Sequence, residues 1–121
     1  MPNGPKKEEA KYWSPRHQDG IECLYGKYFT FTFAPHFHPG YAIGVVESGA
    51  NVFECGGQTH VAAAGDLMLF NPEEVHTGKA ADENLGLKFR MLFVAPRIFH
   101  NICREICRKC CGDPYFTETL V

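Results

Sequence analysis

Three consecutive pieces of this sequence decide its fold: His36-Phe37-His38, then Tyr41-Ala42-Ile43-Gly44-Val45-Val46-Glu47-Ser48-Gly49, then Gly65-Asp66-Leu67-Met68-Leu69-Phe70-Asn71-Pro72-Glu73-Glu74-Val75-His76. Short apolar runs alternate with turns marked by glycine, asparagine and proline, and histidines stand at both ends. Side chains two apart on a strand share a face, so His36 and His38 point the same way. His76 follows a later strand. If the two strands are neighbours in a closed sheet, the imidazoles of His36, His38 and His76 converge over one hollow.

Working outward, the sequence predicts a first strand at Ile21–Tyr28, with residues 29–33 extended towards Pro35, which limits pairing there. Residues 41–47 predict a strand ended by Ser48-Gly49. Asn51-Val52-Phe53-Glu54-Cys55 and Thr59-His60-Val61-Ala62 flank Gly56-Gly57, a strong hairpin signal because glycine tolerates positive φ. Leu67–Phe70 reads as a short buried strand and residues 77–86 as a polar loop. Leu87–Val94 reads as the last long strand, with Leu87, Phe89, Met91 and Phe93 on one face. Many short strands with frequent turns imply an all-β sandwich or barrel. After Pro96 the period changes. Phe99, Ile102, Cys103, Ile106, Cys107 and Cys110 recur at three and four, one face of a helix that Pro96 can start and Gly112 can stop.

Composition narrows the function. The 121 residues fit one domain able to bury a core without staples. Twelve basic against fourteen acidic residues give a net charge of −2, so no basic field exists for holding DNA. Residues 1–11 are polar, without the apolar core of a secretory signal, and read as a flexible lead-in to a domain spanning 12–121. No run nears the ~18 apolar residues of a membrane span, and a cytoplasmic location is expected. Six cysteines, four of them at Cys103, Cys107, Cys110 and Cys111, are expected as thiols. One helix supplies zinc poorly, so they are read as core-facing small apolar groups. Arg97, Arg104, Arg108 and Lys109 read as the solvated face of that helix.

The histidine spacing resembles the two motifs of the cupin superfamily. His36, His38 and Gly49 match the first, with Ala42 in the slot of the ligating Glu. Gly65 and His76 match the second, with Asn71 in the Pro slot and Glu73 in the Gly slot. The resemblance implies a cupin-like double-stranded β-helix, or jelly-roll barrel, with a C-terminal helix. The phrases Tyr41-Ala42-Ile43-Gly44-Val45-Val46-Glu47-Ser48-Gly49-Ala50, Asn71-Pro72-Glu73-Glu74-Val75-His76-Thr77-Gly78 and Arg90-Met91-Leu92-Phe93-Val94-Ala95-Pro96 go further. They look like the N-terminal effector-binding domain of AraC-type transcription regulators. That likeness implies a small-molecule effector, a homodimer, and DNA contact only through a helix-turn-helix domain absent from this chain.

The candidate ligand-binding set is His36, His38, Tyr41, His76 and Arg90. Pointing inward, the Arg90 fork could hold a carboxylate or sugar hydroxyls. Pointing outward, it decorates an exposed face, the reading that Lys88 favours. Tyr41, Phe31 and Phe33 could stack on a ligand, although aromatics near a barrel mouth are more often core. His60 and His100 are expected outside the site. Three neutral imidazoles suit Zn, Fe, Ni or Cu. The alternative to a sensor is a metal-dependent cupin enzyme, a dioxygenase or isomerase using Fe or Mn at His36, His38 and His76. Glu73 and Glu74 are the acids nearest His76 in the chain.

Overall fold

The computed structural model describes residues 7–107 and 113–121. Their elements run β1 (Glu9–Trp13), β2 (Ile21–Tyr28), β3 (Thr32–His36), β4 (Tyr41–Cys55), β5 (Gln58–Ala63), β6 (Leu67–Phe70), β7 (His76–Ala80), β8 (Leu87–Val94) and α1 (Pro96–Ile106). The strands pair antiparallel along the path β1-β2-β8-β4-β7-β3, with β5 and β6 also on β4. This is a curled jelly-roll wall, as expected, followed by one helix.

β4 is the spine. Its first half pairs with β8 and β6, its second half with β5 and β7. The sequence predicts a strand end at Ser48-Gly49, but the strand runs on. Pairing with β8 slips between Val46 and Ser48, and Gly49 takes φ 74°. Such a bulge adds one residue and so reverses the facing of every later side chain. Ala42, Gly44 and Val46 are buried before it, Asn51, Phe53 and Cys55 after it. One bend therefore keeps both halves facing the same interior.

That interior holds Leu24, Ala42, Val46, Phe53, Met68, Phe70, Leu87, Phe89 and Met91. Phe53 is fully buried, edge-on to Phe70 and stacked under His60. A buried side chain of that size stabilises by roughly 1.5–3 kcal/mol. The Gly56-Gly57 hairpin is present, with both residues at positive φ. Residues 119–121 add a short antiparallel run to β6, with amide–carbonyl bonds between Leu67 and Val121 and from Leu69 to Thr119.

Four expectations change. The flexible lead-in was placed through Lys11, but Glu9 already starts β1, paired with Lys27. Residues 1–6 lie outside the described residues. The 77–86 loop begins later, because β7 continues to Ala80. Its inward residues are His76, Gly78 and Ala80, too small or polar to announce a strand. α1 does start at Pro96, but no residue in it is buried. Phe99 meets Tyr41 edge-on at 4.7 Å, while Cys103 is only half-buried and Cys107 is exposed, so neither thiol is core. Expectations for Arg108, Lys109, Cys110, Cys111 and Gly112 lie outside the described residues.

Glu8, just before β1, ties that strand to the turn after β2. Its carboxylate accepts hydrogen bonds from the amides of Phe29 (3.0 Å), Thr30 and Phe31 (2.9 Å) and from the Thr30 hydroxyl. The Phe31 amide, with the others, lowers the Glu8 pKa. A depressed carboxyl pKa stabilises above the unfolded value, and that contribution is lost as pH falls through the folded one. The protection of amides 29–31, taken relative to intrinsic exchange at each pH, is therefore expected to fall on acidification, and to be low at neutral pH in Glu8→Ala. Equal protection in wild type and variant would show that Glu8 does not hold the turn.

The remaining thiols differ sharply. Cys23 and Cys55 are buried, and desolvation, then the Glu74 carboxylate, pushes the Cys55 thiol up to about 11. Among the described cysteines, alkylation of the folded chain is expected to modify Cys107 first and Cys103 next, leaving Cys23 and Cys55 intact by mass mapping. Labelling of Cys55 at the Cys107 rate would mean that the wall opens readily.

Candidate functional site

The three histidines do converge. β3 and β7 are neighbours, and His36 sits opposite His76. His38 lies two residues beyond His36, where the chain leaves β3 towards Gly40. Ring centroids are 4.4 Å apart for His36–His76, 5.1 Å for His36–His38 and 5.4 Å for His38–His76. One nitrogen of each lies within 4.8 Å of the others.

Backbone carbonyls set two of these rings. His36 Nδ1 is 2.7 Å from the Ala34 oxygen, and His76 Nδ1 is 3.0 Å from the Glu74 oxygen. A carbonyl can only accept, so Nδ1 carries a proton, and in the neutral ring Nε2 is the atom with the lone pair. His76 also stacks on Phe70 at 3.8 Å and 8° and is only 5% exposed. Its burial pulls the pKa down to about 4; the Glu74 carbonyl opposes this, and the other two histidines add to it. His38, over Phe93 at 4.6 Å, is lowered as well, first by desolvation and then by His36.

The second motif's departures acquire physical meaning. Glu73, in the glycine slot, is the non-glycine residue with positive φ, 64°, among the described residues. Its amide donates to the His38 carbonyl at 2.7 Å, tying this turn to the first motif. Asn71, in the proline slot, clamps the C-terminal segment: its Oδ1 accepts from the Phe116 amide (2.7 Å) and its Nδ2 donates to the Phe116 carbonyl (3.0 Å). Glu74 spends a carboxylate oxygen on the Asn71 amide (3.1 Å). Among the described residues, the cluster is thus three imidazoles without a carboxylate, and Ala42 supplies only a methyl in the first motif's Glu slot.

The cluster opens into a cavity of about 1030 Å³. Its inner wall is Leu24, Phe33, Met68, Phe70, Leu87, Phe89, Met91 and Phe93, with Asn51 beside them. The 14–20 loop flanks the mouth, held to the start of α1 by the Ala95 amide on the Gly20 carbonyl (2.8 Å) and by Arg97 on Asp19 (3.1 Å).

Two residues expected in the site lie elsewhere. Ala42 occupies the inward position, so Tyr41 faces outward, 1% exposed, between Phe99 and Phe116, its hydroxyl donating to the Pro114 carbonyl. Arg90 alternates with inward Phe89 and Met91. It therefore points out, donating to Glu47 and lying over the Tyr25 ring at 5.0 Å. His100 pairs with Asp113, and Phe31 is exposed. Sequence reasoning missed Asn51 as a wall residue, although strand parity with Phe53 carried the signal, while Phe93 lies on the wall with Leu87, Phe89 and Met91, the face the sequence groups it with.

The family model for the AraC-like ligand binding domain matches residues 20–119. The chain belongs to this family. An uncharacterised HTH-type transcriptional regulator of Bacillus subtilis, YbfI, is 36% identical over 102 residues, covering 84% of this chain. The chain spans only about a third (36%) of that relative's length. Solved structures share the cupin fold. A cupin superfamily protein from Desulfitobacterium hafniense matches at TM-score 0.63 and 8% identity, over 77% of this chain and 84% of its own. A Leptotrichia buccalis cupin 2 conserved barrel domain protein matches at 0.63 and 16%, over 78% and 44%. A Bacillus subtilis oxalate decarboxylase with Mn(II) centres matches at 0.62 and 17%, over 74% and 26%. Among the described residues, no helix is long and apolar enough to cross a membrane.

Proposed function

We propose that this chain is the effector-sensing module of a cytoplasmic transcription regulator, with no catalysis of its own. A small molecule enters the cavity, meets His36, His38 and His76, and changes transcription through a DNA-binding domain elsewhere in a longer, dimeric protein. The observation that carries this reading is the large hollow with a mostly apolar inner wall onto which three imidazoles converge, the usual form of a ligand site. The family of the chain and the regulator relative support it. The 14–20 loop and α1 provide a route: a ligand that contacts the loop in one arrangement and not another shifts the position of the helix it is bonded to.

A metabolite library read by thermal denaturation tests the proposal. At a hundredfold excess over Kd a ligand stabilises by about 2.7 kcal/mol. A hit whose shift disappears in His38→Ala supports it. A library without a hit on the folded chain counts against a sensor.

The three-imidazole cluster favours one second reading, a metal-dependent cupin enzyme. The donor set fits a divalent transition ion such as Zn, Fe, Ni or Mn, with His36 and His76 already oriented by their carbonyls. An ion held there would polarise a bound oxygen. The missing carboxylate favours the sensor. Stoichiometric iron or manganese in protein purified without a tag, with turnover lost in His36→Ala, would reverse that choice.

A further inference from the structure

Accepting the sensing role, the chemistry of the cavity wall narrows the effector. We infer that it is a small hydroxylated aromatic molecule: a flat apolar ring bearing a phenolic oxygen at one end, and not a sugar. The argument is a count of hydrogen-bonding capacity inside the hollow. Phe33, Phe70, Phe89, Phe93, Met68 and Met91 present rings and thioethers, which stack on a planar ring but offer nothing to hydroxyls spread around a pyranose.

The interior polar groups are few and mostly committed. Asn51 spends its Oδ1 on the Lys79 amide (3.1 Å) and an Nδ2 proton on the Met68 sulfur (3.1 Å). Thr77 turns its hydroxyl away to accept from the Glu54 amide (2.9 Å). The Nδ1 atoms of His36 and His76 are held by carbonyls. What remains is a compact group of imidazole nitrogens within 4.8 Å of one another. A polyol taken in here would leave most of its hydroxyls without partners, which a buried site penalises heavily.

The free nitrogens also choose the head group. A bare Nε2 accepts, so a ligand bound directly must donate, as a phenol O–H does. If the histidines held a divalent ion instead, the same oxygen would bind it as phenolate, its proton released to solvent. Both routes place one aromatic oxygen at the histidines and the ring over Phe93, which already contacts His38. Tyr12, Ser14, the polar residues 16–19 and Glu22 also line the cavity, but all of them are exposed, unlike the residues of the inner wall.

Saturation-transfer NMR on the folded chain tests this with phenol, catechol, arabinose and glucose as probes, first with EDTA and then with zinc. Phenol or catechol is expected to show transfer and the sugars none. A signal that survives EDTA assigns direct donation, and one that requires zinc assigns the ion-held route. Phe93→Asn is expected to weaken binding on the order of tenfold, the range for a damaged apolar pocket, while Phe93→Leu stays near wild type. Transfer to arabinose or glucose without transfer to the phenols would overturn the aromatic class and leave the sensing role standing. No transfer to any probe overturns the class too, and only an empty metabolite library would then remove the sensing role. Equal binding in Phe93→Asn and wild type, both folded by circular dichroism, would also overturn it.

Discussion

Gly49→Ala is expected to lower the stability of the chain by about 3 kcal/mol or more, a fall of roughly 10 °C in the melting midpoint. Two effects add. Gly49 sits at φ 74°, where a Cβ costs about 1–2 kcal/mol. A Cβ built there would also lie 2.0 Å from the Gly86 carbonyl oxygen, which is backbone and has little room to move. Relieving that contact pulls β4 away from β8 at the bulge, and the bulge is what keeps both halves of β4 facing inward. Gly56→Ala and Gly57→Ala are the controls. Both residues have positive φ, but nothing lies within 4 Å of either added Cβ. Each should cost only the backbone penalty, about 1–2 kcal/mol. If Gly49→Ala melted no lower than these hairpin variants, the bulge would not be the hinge of the fold.

That bulge also shows where sequence reasoning reached and where it stopped. Ser48-Gly49 is a true local signal, but a turn and a bulge use the same residue chemistry. Only the partner strand decides between them, and β8 lies some forty residues on. β2, β6 and β8 were legible because each carries an apolar face of its own. β1 was hidden because Glu9–Trp13 is an exposed edge without an apolar face, held by pairing with β2 and by the Glu8 contact with the 29–31 turn. β7 was hidden because its inward face is His76, Gly78 and Ala80, which a periodicity of apolar residues does not register.

The site divides along the same line. Motif spacing placed His36, His38 and His76 together, since spacing in a barrel is a statement about register. Tyr41 and Arg90 enter the candidate set on residue type, and parity sends both outward, for Arg90 the reading that Lys88 favours. Ala42 and Met91, the neighbours that claim the inward positions, were readable on the same strands. The motif departures needed coordinates. Asn71 works as a clamp on Phe116, and Glu73 adopts the left-handed turn that glycine would take without strain.

Zinc titration of the folded chain is expected to show one ion per chain, with affinity falling about a hundredfold or more in His36→Ala. Three imidazole nitrogens within 4.8 Å of one another are close enough to share one ion, and the Ala34 and Glu74 carbonyls hold two rings with Nε2 available. Losing an outer partner of a metal ligand typically costs 10–100-fold in affinity, so losing a ligand itself should cost at least as much. His36 is the informative position because it is only half-buried, whereas His76 stacks on Phe70 and its removal would also damage the core. Competition with a chromophoric chelator reads the affinity, and a thermal scan without metal confirms that the variant folds. Zinc should raise the wild-type midpoint and leave that of His36→Ala nearly unchanged, because an ion that binds only the folded state stabilises it by mass action. Equal zinc affinity in the two proteins would place the ion elsewhere, with the thiols of Cys103 and Cys107 the first place to look. No zinc binding at all would leave the cluster as three hydrogen-bonding groups, and the direct route from a donor head group to a bare Nε2 would then be the chemistry of the pocket.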